Sequence, residues 1–217
     1  MDASLRTRLL GVLGTGGVAD GDAVLPATAE HVSAVCRLCA ETHTAMTVIS
    51  GPDSAELAVV RGMLVSQARM TNLSFDAGAQ IAHAQAGVML PALSSSARQQ
   101  GLTTMGFGGG HPEHVGSAIA RGAIPPRALL GIDLVLSDGT RLTAGGRTLK
   151  DVTGYDLPGM MLGSMGRLAI IVGASFRLAP ERAALPLARP AGVARSNATF
   201  AALCGAMDPA GQLQPAD

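Results

Sequence analysis

Aromatic residues are almost missing from this chain: four Phe, one Tyr and no Trp in 217 positions. A site that grips rings or sugars by stacking is therefore not expected. A charge excess is missing too. Sixteen Lys plus Arg balance sixteen Asp plus Glu, so the basic surplus of a nucleic-acid binder is absent and no nucleic-acid partner is expected. No apolar run reaches the ~18 residues of a membrane-crossing helix, so no transmembrane segment is expected. The first eight residues, Met1 to Arg8, carry charges with no apolar stretch behind them, unlike a secretory signal. Cysteine is scarce and odd in number, at three. That argues against a disulfide framework and for a reduced, cytoplasmic setting. Lysine is all but absent, Lys150 being the sole one; with the Ala and Gly excess, this reads as a base-composition bias.

What remains is enough for a core. Hydrophobic residues make up 47% of the chain and charged ones 15%, which excludes disorder over most of the length. The size allows one sizeable domain or two small lobes sharing a core. That core must come from Ala, Leu, Val, Ile and ten Met.

The pattern begins clearly at Val24, where a short extended stretch leads to Thr28, a helix cap with Glu30 favourable in the first turn. Val32, Val35, Cys36 and Cys39 follow at i, i+3, i+4 and i+7, one helical face. Residues 45–49 read as a strand stopped by Ser50-Gly51-Pro52-Asp53, so the opening is a strand–helix–strand unit of a parallel lobe. Residues 70–86 hold two strands. Pro91 suits a first helical turn, and a helix over 90–100 ends at Gly101. Residues 106–110 are a glycine-rich loop, and residues 115–122 (VGSAIARG) are small enough to permit close backbone approach. Residues 129–136 and 140–143 form strands joined by the Ser137-Asp138-Gly139 turn. Asp156 caps a further helix with Pro158 in its first turn. In residues 168–178, Ile170, Val172, Ala174, Phe176 and Leu178 alternate, predicting one buried face of a half-buried strand. Beyond residue 181 no period is visible. The fold class is α+β, with a parallel N-terminal lobe and an antiparallel second lobe.

Sharper readings of single groups give way to plainer ones. Cys36 and Cys39 spell C-x-x-C but share the apolar face of Val32 and Val35, and no second pair completes a metal set; they read as small buried hydrophobes and no metal site is assigned. His111 and His114, with Glu113, suggest a metal or a proton relay, but a loop role fits better. Gly108-Gly109-Gly110 lacks the strand and helix of a phosphate loop. Tyr155 packs at a lobe interface or touches a cofactor or partner.

Several segments together resemble the PCMH-type FAD-binding domain of the vanillyl-alcohol oxidase superfamily, in the flavour of its glycolate and D-lactate oxidase/dehydrogenase group. The resemblance runs through residues 24–40, 86–90 (AGVML), 115–120 (VGSAIA) and 130–139 (LGIDLVLSDG). It is strongest from Lys150 to Pro180, where KDVTGYDL, GSMGRLAII and FRLAP follow in family order. It implies a two-lobed domain over residues 20–181, with residues 1–19 as an N-terminal extension and residues 182–217 as an Ala/Pro-rich tail, too short for the family's usual cap domain. It implies non-covalent FAD between the lobes, held by backbone amides, which suit anions. Position by position, the first phosphate loop is Ser50, Gly51, Pro52, Asp53 and Ser54. The second set is Val115, Gly116, Ser117 and Ile119. The adenine or ribitol side falls to Gly166, Ile170 and Ile171. No catalytic residue is assigned.

The first loop departs from the glycine-rich family pattern. Pro52 has no N–H to donate, and Asp53 brings a carboxylate toward a dianion; at ~4 Å and an effective dielectric of about 20, such a pair costs roughly 4 kcal/mol. Ser117 stands where Gly is usual. The implied function is the FAD-binding subunit of a flavin-dependent oxidoreductase acting on a small 2-hydroxy acid, handing electrons to a larger flavoprotein or iron–sulfur subunit in a homo- or hetero-oligomer. The alternative is a flavin-free subunit that keeps the fold as a scaffold; a plain small-molecule binding module is a third.

Overall fold

The computed structural model describes residues 2–19, 23–51, 62–108, 113–146, 156–181 and 198–214. Two sheets organise them. The first is parallel and joins β1 (Ala23–Val24), β3 (Met63–Ser66), β2 (Met46–Ile49) and β11 (Leu213–Gln214) in that order. The second is antiparallel, with β4 (Leu73–Asp76), β5 (Ile81–Gln85), β9 (Ile170–Arg177), β7 (Leu129–Val135) and β8 (Arg141–Gly145). A small antiparallel pair, β6 (Leu102–Thr103) with β10 (Ala179–Pro180), completes the strands. This is the expected α+β arrangement of a parallel lobe followed by an antiparallel one.

Helix α2 (Ala29–Thr42) forms as its sequence predicts. The Thr28 hydroxyl accepts the His31 amide at 3.2 Å, and His43 closes the helix in a left-handed conformation at φ 51°. Hydrogen bonds to its own amide and to Thr28, with Arg141 nearby, hold the Glu30 carboxyl below its ordinary range. Val32, Val35, Cys36 and Cys39 are fully buried against β1, β2 and β3. Each of the two valines contributes about 1.5–3 kcal/mol. Helix α3 (Leu90–Gln99) and helix α5 (Leu157–Met161) also follow expectation, the Asp156 carboxylate accepting the Gly159 amide at 2.9 Å.

Strand β9 differs from the prediction. It lies in the middle of its sheet and is buried on both faces up to Arg177, because helices cover one side and the parallel lobe part of the other. The alternation is also broken. Gly173 pairs with Asp133 but Ile171 pairs with Leu134, so Val172 is an extra residue, a β-bulge. A bulge reverses the side-chain alternation. Ile170 and Val172 therefore enter the parallel-lobe core, while Ile171, Ala174, Phe176 and Leu178 enter the antiparallel-lobe core. One strand serves both lobes.

The chain's two ends contribute to the cores. Residues expected as an N-terminal extension include α1 (Ala3–Leu13), which buries Leu5, Leu9 and Leu13 on the parallel lobe. Part of the segment expected as a tail forms α6 (Ala198–Met207), which packs Phe200 on the antiparallel-lobe core, and then β11.

Candidate flavin cleft

A cleft opens where the lobes meet. Val48, Ser50 and Gln67 line it from the parallel lobe. Opposite stand Gly116, Ser117, Ala120 and Arg121 of and just after α4 (Val115–Ala120), with Met165, Gly166, Ala169, Ile170 and Ile171. Gln214 of β11 borders it.

Of the residues assigned from sequence, six meet here: Ser50, Gly116, Ser117, Gly166, Ile170 and Ile171. Gly51 is adjacent and buried under the His114 ring, where an added Cβ would come within 2.1 Å of Cε1. Val115 and Ile119 share α4 but are fully buried in the antiparallel-lobe core, so their side chains do not line the cleft. Pro52, Asp53 and Ser54 lie outside the described residues, as do His111, Gly109, Gly110, Lys150 and Tyr155.

The local architecture explains the opening. Strand β2 ends at Ile49, and Ser50 turns inward with its hydroxyl donating to Gln67 Oε1 at 3.2 Å. Helix α4 sits directly above. An added Cβ on Gly116 would lie 2.3 Å from Ser50 Oγ and 3.0 Å from Ala86 Cβ, so only glycine lets α4 come this close. The α4 amides of Val115 and Gly116 bond the carbonyls of Val88 and Ala86. Among the described residues no acceptor meets the Ser117 amide. Met165 and Gly166 are both left-handed, at φ 54° and 70°, and turn the chain into β9. Space beside Gly166 is open.

Sequence reasoning missed seven of the lining residues, Gln67 and Arg121 among them. Gln67 is buried, and its side-chain amide donates to the Ile171 carbonyl at 2.7 Å. Arg121 is half exposed, and its Nε donates to Glu113 at 2.9 Å. Glu113 is thereby engaged with Arg121, and His114 packs on Gly51. Among the described residues no group of three His, Cys, Asp or Glu is placed to hold a metal ion.

A second hollow lies over the polar part of the antiparallel sheet, lined by His83, Asp133, Arg141 and Thr143 among others. Its polar groups answer one another. Thr143 donates to Asp133 at 2.7 Å, Ser175 Oγ lies 3.2 Å from the His83 ring nitrogens, and Arg141 pairs with Glu30.

The cleft thus brings together a glycine that lets α4 approach β2, the aliphatic side chains of Ile170 and Ile171 and, among the described lining residues, one cation, Arg121. The chain belongs to the family described as FAD binding domain, which it matches over residues 23–145, more than half its length; the family's cofactor is FAD. It is 33% identical over 170 residues to D-lactate dehydrogenase of Archaeoglobus fulgidus, a match covering 73% of this chain and 38% of that protein. Over 53 residues it is 40% identical to glycolate oxidase subunit GlcD of Bacillus subtilis, 24% of this chain and 11% of that one. The fold is shared with 4-ethylphenol oxidase of Gulosibacter chungangensis at TM-score 0.63 and 16% identity, covering 82% of this chain and 42% of that structure. The chain thus spans about two-fifths of the archaeal relative's length. Among the described residues no helix is long and apolar enough to cross a membrane.

Proposed function

We propose that this chain is the FAD-binding portion of a flavin-dependent oxidoreductase that acts on small 2-hydroxy acids of the glycolate or lactate type. The observation that carries the reading is the inter-lobe cleft, where segments assigned to FAD from sequence converge from both lobes. The substrate class follows the names of its D-lactate dehydrogenase and glycolate oxidase relatives.

Ser50 and Gly51, with Pro52, Asp53 and Ser54 after them in sequence, hold one side of the pyrophosphate. Gly116 and Ser117 hold the other, Gly116 by leaving room and Ser117 by offering its amide. Val115 and Ile119 act from beneath, anchoring α4 in the core. Gly166 admits the ligand backbone, and Ile170 and Ile171 wall off water from its apolar parts. Bound FAD supplies the hydride acceptor for the substrate carbon. Among the described residues the cleft lining holds no carboxylate and no histidine, and no catalytic base is assigned. A larger flavoprotein or an iron–sulfur subunit that completes the substrate site and receives electrons is part of this proposal. Its three free cysteines suit a reducing, cytoplasmic compartment.

The test is reconstitution. The purified chain, mixed with FAD and passed through gel filtration, is expected to stay yellow and to quench flavin fluorescence. Colourless protein that takes up no added FAD overturns the proposal in favour of a flavin-free scaffold.

A further inference from the structure

Among the described residues that line the cleft, Arg121 is the one charged side chain. It stands at the end of α4, one turn from Ser117, whose carbonyl accepts its amide at 2.9 Å. Its guanidinium is half exposed, at 57%, and donates through Nε and Nη2 to one oxygen, Glu113 Oε1. The Glu113 carboxylate is more enclosed, at 12%. Half its hydrogen-bonding face is thus spent on a single oxygen.

The sequence that follows Ser50 and Gly51 makes a cation useful. Residues 50–54 carry a proline with no amide to donate and an aspartate. A family pattern that relies on main-chain amides is short of one donor here and carries one extra negative charge. An arginine in the cleft compensates for both, because its planar fork matches phosphate oxygens in pairs.

We propose that Arg121 is a phosphate-binding residue for FAD, and that Glu113 holds it at the cleft and competes with the incoming pyrophosphate. This rests on the FAD reading above. The exchange is favourable in kind, since Glu113 offers the guanidinium a single oxygen, whereas a desolvated pyrophosphate offers more charge and more acceptor oxygens.

The experiment titrates FAD and riboflavin, which lacks phosphate, into the wild-type chain, Arg121→Gln, Arg121→Lys and Glu113→Gln, at two salt concentrations. Thermal unfolding of each variant confirms folding. Arg121→Gln is expected to weaken FAD binding about tenfold or more, to flatten its salt dependence and to leave riboflavin binding unchanged. Arg121→Lys keeps part of the affinity, and Glu113→Gln tightens FAD several-fold. Wild-type chain that binds no FAD removes the underlying reading and this inference with it. Wild-type chain that binds FAD while folded Arg121→Gln binds it equally well overturns the role of Arg121 alone. Equal losses for FAD and riboflavin overturn the phosphate assignment. Weaker FAD binding by Glu113→Gln overturns the competition.

Discussion

The side-chain amide of Gln67 donates to the carbonyl of Ile171 at 2.7 Å, across the boundary between the lobes. That carbonyl sits beside the β9 bulge, where the ladder to β7 skips a residue. The next carbonyl, of Val172, is taken by the Ala86 amide at 3.1 Å. The bulge is therefore satisfied from the parallel lobe and from the strand end of β5, and Gln67 is the pin. Replacing it by Leu keeps the bulk and removes the donor. The Ile171 carbonyl and the Ser50 hydroxyl then lose their partner in a buried place, which costs about 1–3 kcal/mol. Urea unfolding of Gln67→Leu is expected to show that loss, with a smaller one, near 1 kcal/mol, for Ser50→Ala. An unchanged midpoint for Gln67→Leu means the lobes are joined by packing alone.

Gly116 decides how near α4 comes to β2. With Ser50 Oγ 2.3 Å and Ala86 Cβ 3.0 Å from an added Cβ, Gly116→Ala must displace the helix or turn the Ser50 hydroxyl away from Gln67. A cost of about 1–3 kcal/mol is expected, typical of overpacking. Ser50→Gly in the same chain removes the closer obstacle and is expected to recover part of it. Gly116→Asp adds a carboxylate facing the cleft and is expected to abolish FAD binding, read by flavin fluorescence. Full flavin occupancy in that variant places the pyrophosphate elsewhere.

These two residues also show what a sequence can and cannot reveal. Gly116 was legible because VGSAIA is a run of small residues, and small residues imply close approach. Helix α2 was legible because a cap and a four-residue apolar face coincide. Gln67 was not, because a glutamine after an unrecognised strand carries no local mark; its role exists only once β9 lies beside it. The bulge at Val172 is invisible for the same reason, and perfect alternation there gave the wrong face assignment. Helix α6 does have a period, with Phe200, Leu203, Cys204 and Met207 all facing the core. Alanines fill the opposite face and hide it, since alanine counts as apolar without needing burial. Arg121 carried a fainter mark, a lone cation directly after the small-residue segment.

Helix α1 offers a test of the opposite sign. Gly11 lies inside it, on the exposed side, and an added Cβ would meet nothing within 4 Å. Glycine in a helix interior costs about 1 kcal/mol relative to alanine. Gly11→Ala is expected to raise stability by roughly 0.5–1 kcal/mol in urea unfolding. Leu9→Ala, on the fully buried face, is expected to lower it by about 2–5 kcal/mol. If neither substitution moves the transition, α1 unfolds separately from the parallel lobe.

The two thiols of α2 predict the alkaline limit. Burial pushes the Cys39 thiol up to about 12, and burial, with the neighbouring Cys39, Asp138 and Asp208 adding to it, pushes Cys36 higher still. In the unfolded chain both ionise near pH 8.5. The folded state therefore keeps protons that the unfolded state gives up. Stability from this source is whole below about pH 8.5 and declines as pH rises toward 12, by up to about 1.4 kcal/mol per pH unit for each thiol. Urea unfolding followed from pH 8 to 11 is expected to show this fall. Cys36→Ala with Cys39→Ala is expected to begin less stable, because two buried side chains are trimmed, but to lose less as pH rises. A double variant whose alkaline slope equals that of the parent would assign the decline to other groups. The same burial predicts that a thiol reagent near neutral pH labels Cys204, which is only partly buried, well before it reaches Cys36 or Cys39, and that all three react at one rate only after unfolding.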